Sequence, residues 1–300
     1  MTVGVLVMAY GTPRDRDDVR AYYTDIRRGR PPTDEQLADL VRRYDAIGGT
    51  FPLRALTEAQ AAALRDALGD GYVVALGLKH AEPRIEVGVA ELAGAGVERV
   101  VGLVLAPHYS KLSVGEYARR LLLAADEHGL AAETIESWHL LPAYLEFLAE
   151  AVAEAQAALP EHVRRDADVV FTAHSLPERA VGPDDPYPDQ LRATAEAVAT
   201  YADLFRWSLA WQSAGRTPDP WLGPDVLDVI RTRAEEGAAG IVVCPCGFVS
   251  DHLEVAYDLD VEAAAVAREA GLPFARTRSM NDDPAVIAAL AGLVRERAGA

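Results

Sequence analysis

Ile241-Val242-Val243-Cys244-Pro245-Cys246-Gly247-Phe248-Val249-Ser250-Asp251-His252-Leu253-Glu254-Val255-Ala256-Tyr257-Asp258-Leu259-Asp260-Val261-Glu262 is the stretch from which the fold can be read. It opens on a largely β-branched apolar run, which predicts a buried strand. Pro245 and Gly247 end that run. Ser250 and Asp251 are N-cap residue types and predict a helix directly after them. On such a helix Glu254, Asp258 and Glu262 fall four apart and share a face. Three carboxylates in a row repel, and no lysine is interleaved among them. One reading is an acidic solvated stripe. The other is a path for a divalent cation into the crevice beyond the strand's C-terminal end.

The same strand-then-helix alternation extends outward in both directions. Upstream, strands are predicted over 3–8, 72–77, 100–105 and 134–138. Helices are predicted over 17–28, 33–47, 56–68, 83–95, 114–128 and 144–159. The second half repeats the scheme, with strands at 169–173, 207–211 and 274–276 and helices at 188–201, 224–236 and 284–297. Alternation of this kind predicts an α/β fold of parallel sheets covered on both faces, with ligands beyond the strands' C-terminal ends. A short echo supports two similar halves. The first strand of one half runs into Tyr10-Gly11-Thr12-Pro13, and that of the other into His174-Ser175-Leu176-Pro177. Each places a ring or metal ligand at a strand end, so two facing lobes would set Tyr10 and His174 on opposite walls of one cleft. Such a cleft suits a flat ligand.

Composition narrows the function. The 300 residues are half hydrophobic, enough for a sizeable core, and length suggests about two domains. A formal net charge of −17 argues against a phosphate-binding surface for nucleic acid and against anchoring to anionic lipid. It favours a cationic ligand. The two cysteines, Cys244 and Cys246, are too few for an iron–sulfur cluster and read as core packing. The N-terminus has no basic signal region, and no apolar run reaches the length of a membrane span. The chain is therefore expected to be cytoplasmic. The phosphate-cradling Gly-x-x-x-x-Gly-Lys loop and the Gly-x-Gly-x-x-Gly dinucleotide turn are both missing, which argues against a nucleotide. His174 at a strand end, with Glu254 as partner, would make a sparse metal site. That suits an ion that is passed on, and imidazole can also accept a proton near neutral pH.

At this point the residues carry a family resemblance. The segments Leu6-Val7-Met8-Ala9-Tyr10-Gly11-Thr12-Pro13, Tyr22-Tyr23-Thr24-Asp25-Ile26-Arg27-Arg28-Gly29-Arg30 and Arg43-Tyr44-Asp45-Ala46-Ile47-Gly48-Gly49 resemble a ferrochelatase. So do Gly77-Leu78-Lys79-His80, Leu105-Ala106-Pro107-His108, Ala173-His174-Ser175-Leu176-Pro177, Asp185-Pro186-Tyr187-Pro188, Trp211-Gln212-Ser213 with 217–224, and Gly247–Glu254. They follow the family's order across nearly the whole chain and are most similar to the soluble coproporphyrin enzymes of Gram-positive bacteria. The resemblance implies two doubly wound, Rossmann-like lobes, 1–143 and 144–283, with a porphyrin cleft between them. A terminal helix, 284–300, would pack back on the N-terminal lobe. It implies insertion of Fe2+ into coproporphyrin III with release of two protons, by a monomer with no prosthetic group and no iron–sulfur cluster.

By position, His174 and Glu254 match the family's metal-handling and proton-accepting pair. Tyr10 matches the residue under the other porphyrin face and favours coproporphyrin III. Ile26, Arg27, Arg43, Tyr44 and Tyr117 match positions that contact the macrocycle or its propionates. Asp258 and Glu262 match an acidic line that can hold a second, hydrated cation. His80, His108 and His252 read as hydrogen-bonded loop histidines outside the catalytic set. One departure stands out: Gly48-Gly49-Thr50-Phe51-Pro52 puts Phe51 where the family usually has a small hydroxyl residue facing a propionate. Two alternatives share these residues. One is a chelatase for cobalt, nickel or another tetrapyrrole such as protoporphyrin IX, since ligand type alone does not select iron. The other is a non-catalytic carrier of haem or metal.

Overall fold

In each half of the chain, four apolar runs pair as parallel strands. The structure is a computed structural model that describes residues 2–215 and 217–299. Positions 1 and 300, the first of the predicted N-terminal lobe and the last of the predicted terminal helix, lie outside the described residues, as does 216. One sheet contains β1 (Val3–Ala9), β2 (Tyr72–Leu78), β3 (Arg99–Val104) and β4 (Ala131–Ile135) in the order β2-β1-β3-β4. The other contains β5 (Asp168–His174), β6 (Trp207–Gln212), β7 (Ile241–Cys244) and β8 (Phe274–Arg276) in the order β6-β5-β7-β8. The two sheets therefore have the same topology, and β1 and β5 hold equivalent places. Residues 5–8 of β1 and 169–173 of β5 are fully buried, as strands covered on both faces should be.

The covering helices follow the predicted pattern. They are α1 (Val19–Ile26), α2 (Asp34–Ala46), α3 (Pro52–Leu68), α4 (Ile85–Gly94) and α5 (Val114–Glu127), then α6 (Pro142–Ala158), α7 (Tyr187–Tyr201) and α8 (Val226–Glu235). Thr33 and Gln36 close a reciprocal capping box at the start of α2. Two boundaries differ from expectation by more than two residues. Helix α3 begins four residues earlier than predicted, because Pro52 suits the first helical position. Strand β4 lies three residues earlier, because Ala131 and Ala132 pair with Arg99 and Val100. Residues 136–138 leave the sheet: the Trp138 backbone N–H donates to Pro107 O (3.1 Å) and its indole to Val104 O (3.0 Å).

The third difference is at the stretch quoted first. Ser250 and Asp251 do not cap a helix. Ser250 Oγ donates to Gln60 Oε1 (3.1 Å), and the Asp251 carboxylate accepts from Arg276 Nη1 (3.2 Å), Ser279 Oγ (2.9 Å) and Asn281 Nδ2 (3.2 Å). The cap position is His252, with extended backbone and no side-chain cap bond. A single α-helical turn, α9 (Leu253–Val255), then widens into a π-helix over Ala256–Ala263 before α10 (Ala264–Glu269). π-helical turns of this kind are frequent at functional sites.

Helix α11 (Pro284–Ala298) is capped by Asp283, whose carboxylate accepts from Ala285 N and Val286 N. It packs on α3, α6, β3 and β4. One hydrophobic cluster joins Val5, Val7 and Val101 of the first sheet to Val169, Phe171 and Val242 of the second, through α6 and α11. Cys244 and Cys246 are buried free thiols in this cluster. Among the described residues no helix is long and apolar enough to cross a membrane.

Candidate active site

The equivalent positions of β1 and β5 put Tyr10, just past β1, and His174, the last residue of β5, at the C-terminal edges of their sheets. Two glycines shape the turns there. Gly11 has φ +90°, and a Cβ on it would lie 2.8 Å from that of Ala81. A Cβ on Gly247 would fall 2.4 Å from that of Ala173, and the Gly247 N–H donates to Thr172 O at 2.9 Å. Only glycine lets the segment after β7 lie across the end of β5. That contact carries Glu254 to His174, with Nε2 and Oε1 3.6 Å apart.

Glu254 is shared between two imidazoles. Its Oε2 lies 3.6 Å from His252 Nε2. His174 Nδ1 is 2.5 Å from Ser175 O, and His252 Nδ1 is 2.9 Å from Ser250 O. A carbonyl only accepts, so each Nδ1 carries a proton and each Nε2 faces the carboxylate. Burial disfavours the charged imidazole of His174, but the charge and hydrogen bond of Glu254 outweigh it and hold the pKa above the usual 6.5. Burial likewise opposes the charge of Glu254, but His174 and His252 outweigh that and hold its carboxyl well below the ordinary range.

The line of acids departs from a solvated stripe at its middle member. Asp258 is 6% exposed, and burial pushes its carboxyl up to about 6. The Glu254 charge adds to this, while the Ser213 hydroxyl, donating to Oδ2 at 2.5 Å, and Arg43 oppose it. Arg43 Nη1 lies 4.0 Å from Asp258 Oδ1, and Nε lies 3.5 Å from Asp39 Oδ2. The guanidinium also covers the Tyr257 ring at 5.0 Å. Glu262 sits farther out, where its charge and hydrogen bond raise the Tyr257 phenol pKa behind the effect of burial. Among the described residues no three His, Cys, Asp or Glu side chains form a metal cage.

Tyr10 faces this group. Burial raises its phenol pKa, and the Glu254 carboxylate is the next cause. The residue is nonetheless 41% exposed, and the side chains of His174 and Glu254 are 34% and 38% exposed. Side chains that are desolvated from behind yet open on one side line a concave space. Tyr22 extends the same wall, its hydroxyl donating to Gly11 O at 3.0 Å. Tyr44 is buried, with its hydroxyl 3.5 Å from Thr12 Oγ1 and its ring 4.3 Å from that of Phe51. Phe51 thus replaces a hydroxyl with ring packing. Tyr117 is 4% exposed. Ile26 and Arg27 close α1, where the Arg27 guanidinium lies 5.7 Å from the Tyr23 ring centroid and Nε donates to Arg30 O (3.3 Å).

A model of the ferrochelatase family matches residues 2–298. The chain belongs to the ferrochelatase family. It is 46% identical to a coproporphyrin III ferrochelatase of Geobacillus kaustophilus, over 99% of this chain and 96% of that one. It is 44% identical to the coproporphyrin III ferrochelatase of Bacillus subtilis, over 99% and 98%. Among solved structures, SirB from Bacillus subtilis with Fe3+ superposes with a TM-score of 0.59 at 13% identity, covering 99% of this chain and 95% of that one. CbiX, the terminal enzyme of sirohaem biosynthesis in denitrifying bacteria, gives 0.56 at 16%, covering 98% of each. At these identities the structural likeness speaks for the fold alone.

In this ferrochelatase the expected pair, His174 and Glu254, does come together, with Arg43 and Asp258 beside it. His252 is a hydrogen-bonded histidine, as expected, but it also holds the second oxygen of Glu254 and so belongs to the site. The signal was its place two residues before Glu254, at a cap where extended backbone turns both side chains the same way. His80 is a hydrogen-bonded loop histidine, as expected, with Nδ1 2.7 Å from Asp25 Oδ2, and its ring also lies 4.6 Å from that of Tyr10. His108 is structural, as expected. Its Nε2 is 2.9 Å from Thr194 Oγ1, and burial, with His139 second, pushes its pKa down to about 3.

Proposed function

We propose that this ferrochelatase inserts Fe2+ into coproporphyrin III, forming Fe-coproporphyrin and releasing the two pyrrole protons. The observation that carries the mechanism is Glu254 held between the Nε2 atoms of His174 and His252, across from Tyr10. A flat porphyrin admits a metal slowly, because its nitrogen lone pairs lie in the ring plane. A cleft that bends the ring turns those lone pairs toward one face, and binding energy from remote carboxylates can support the distortion. Fe2+, a substrate here, meets a carboxylate and an imidazole at that face. Two such ligands hold an ion loosely enough to surrender it.

As the cation approaches Glu254, it cancels the field that keeps His174 protonated. The imidazole then loses its Nε2 proton to solvent and becomes free to accept one from a pyrrole. Asp258, with its carboxyl near pH 6, is a further acceptor behind Glu254. Asp258 and Glu262 are read as the outer stations of a cation path, and Ile26, Arg27, Arg43, Tyr44 and Tyr117 as the porphyrin's contacts. Both walls of the cleft come from one chain, so a monomer would hold a complete site. The two buried free thiols fit a reducing cytoplasm.

Anaerobic Fe2+ insertion, followed by absorbance with coproporphyrin III and protoporphyrin IX in parallel, tests this reading. The expected result is a higher kcat/KM for coproporphyrin III. Preference for protoporphyrin IX would overturn the substrate, and failure with both would overturn the activity.

A further inference from the structure

His174 ends β5 at a point that β7 does not reach. The pairing of β5 with β7 stops at Phe171 and Cys244, while its pairing with β6 runs on to His174 and Gln212. Backbone groups along a parallel strand point alternately to its two neighbours. On the β7 side, the Asp168 N–H donates to Gly240 O and Thr172 O accepts from the Gly247 N–H, each at 2.9 Å. On the β6 side, the Val169 N–H donates to Arg206 O (3.1 Å) and the Ser175 N–H to Gln212 O (2.8 Å). His174 is in step with Asp168 and Thr172, so its carbonyl points to the side where β7 has already ended. The donor that meets it there is the Tyr187 hydroxyl, at 3.1 Å.

Tyr187 is buried in the first turn of α7, with its ring 5.4 Å from that of Trp211 and edge-on to that of His108 at 6.3 Å. A carboxylate two residues earlier fixes where that turn begins. Asp185 Oδ1 accepts from the Tyr187 N–H (3.1 Å), and Oδ2 accepts from Ser110 Oγ (3.1 Å) and the Lys111 N–H (3.0 Å). Ser110 and Lys111 follow β3, in the half of the chain that carries β1 and Tyr10. Hydrogen bonds to an ionised acceptor are stronger than neutral ones, so this is a firm tie. One carboxylate thus links the first half of the chain to the residue that holds His174. Gln190, farther along α7, grips the same region: its Oε1 accepts from the Tyr109 N–H (2.7 Å) and Ser137 Oγ (3.2 Å). Among the described residues its side chain bonds neither Tyr187 nor His174.

We propose that Asp185 and Tyr187 are positioning residues that fix the His174 imidazole relative to the opposite half of the chain, and so relative to a porphyrin held there. The proposal rests on the porphyrin reading given above. The residues read as porphyrin contacts, from Tyr10 to Tyr117, all come from the half that contains β1–β4, whereas His174 and Glu254 come from the half that contains β5–β8. Proton transfer at the pyrrole nitrogens therefore depends on a distance between the two halves, and its efficiency falls steeply when that distance is wrong. The Tyr187 hydroxyl is buried against a backbone carbonyl, so it acts through His174 and not on the substrate.

The test compares Tyr187→Phe, Asp185→Ala and Gln190→Ala in the full chain. Tyr187→Phe keeps the ring packing and removes only the donor. With saturating Fe2+ and coproporphyrin III its kcat should fall by about tenfold, while the Kd for metal-free coproporphyrin III, read by fluorescence quenching, stays within about twofold. Asp185→Ala should lower kcat by a similar factor, and Asp185→Asn, which keeps one acceptor oxygen, should recover part of it. An Asp185→Ala/Tyr187→Phe cycle should be non-additive in kcat, because both groups act on one carbonyl. Gln190→Ala removes a tie between the same halves, so it should lower the urea midpoint and leave kcat within about twofold. The His174 ring C–H signal of histidine-labelled protein, recorded without porphyrin or metal, should shift or broaden in Tyr187→Phe and Asp185→Ala and stay in place in Gln190→Ala. An unmoved ring signal in Tyr187→Phe, an equal kcat loss in Gln190→Ala, a porphyrin Kd that rises as much as kcat falls, or an additive cycle would each overturn the proposal. If Asp185→Ala does not fold, Tyr187→Phe against Gln190→Ala gives the same comparison. Failure of Fe2+ insertion by the wild type would count against the activity, and the ring signal, read without turnover, would still decide the positioning.

Discussion

The charge on His174 is set by Glu254, and that coupling can be measured. The imidazole pKa is lifted above 6.5 because the carboxylate outweighs the cost of burial. Nε2 is therefore free to accept a proton only as pH rises through a value above that of an ordinary histidine. Glu254→Gln removes the lift and leaves burial dominant, so the His174 titration, followed by NMR of its ring C–H, should move to below 6.5. An unmoved midpoint would show that Glu254 is not what holds the proton. Insertion should meanwhile fall by at least about a hundredfold in Glu254→Gln, in the range expected for loss of a general acid–base partner. Phe51 poses a second question at this scale. Its ring supports Tyr44 at 4.3 Å, so Phe51→Ser gains a neutral donor and loses an aromatic contact. A neutral hydrogen bond and an aromatic pair each contribute about 0.5–1.5 kcal/mol. The two should nearly cancel, with the coproporphyrin III KM within about threefold of wild type and kcat unchanged. A tenfold change in either would mean that one effect dominates. His174, Glu254 and Tyr10 were legible because strand ends and a family pattern announce them. His252 is less so, because its partners Ser250 O and Glu254 are close in sequence but meet its ring only through the extended backbone at the start of α9.

The acidic element shows how far sequence spacing carries. Four-residue spacing places Glu254, Asp258 and Glu262 on one side of an α-helix, and a π-helix keeps them roughly aligned, so the pattern fits both. Spacing alone therefore carries no sign of the π-helical segment, nor of the burial of Asp258 against Ser213 and Arg43. Burial has a consequence for stability. Burial pushes the Asp258 carboxyl up to about 6 in the folded protein, against the usual 3.8. The folded state holds this proton more tightly than the unfolded chain. The group's favourable contribution is therefore complete below about pH 4 and is lost as pH rises through about 6. Asp258→Asn removes the buried charge and keeps an oxygen for the Ser213 hydroxyl. In urea unfolding it should add about 1–2 kcal/mol at pH 8 and almost nothing at pH 4. A gain of equal size at both pH values would assign the effect to packing. The strands were the easier elements to read, since buried parallel strands need continuous apolar runs. Strand β4 slipped because its alanines carry little β signal, and only pairing with β3 makes them extended.

At the scale of the whole molecule, the sequence announces two repeats but not that they share a core. Helices α6 and α11 lie between the sheets' hydrophobic layers, and Gln60 of α3 reaches across to Asn281 O (2.7 Å) and Ser250 Oγ (3.1 Å). Gln60→Ala would leave the buried Ser250 hydroxyl unsatisfied and remove the bond to the half-buried Asn281 carbonyl, so it should cost about 1–3 kcal/mol in urea unfolding. It should also loosen the segment that leads to His252 and Glu254. The larger consequence concerns α11, which the sequence places after both lobes. It buries Val286, Ile287, Leu290 and Val294 almost completely. Fully burying a side chain of this size contributes about 1.5–3 kcal/mol. Four of them amount to roughly 6–12 kcal/mol, comparable to the ~5–15 kcal/mol that stabilises a typical domain. Their removal would also uncover the apolar faces of α3 and α6 on which they pack. A chain ending at residue 283 should therefore lose cooperative unfolding and near-ultraviolet circular dichroism, although every residue assigned to the site is still present. The full chain should unfold in a single urea transition seen alike by far- and near-ultraviolet signals, because the core is continuous across both sheets. Two separated transitions in the full chain, or a cooperative one in the truncated chain, would mean that the lobes are stable alone and that α11 is an appendage.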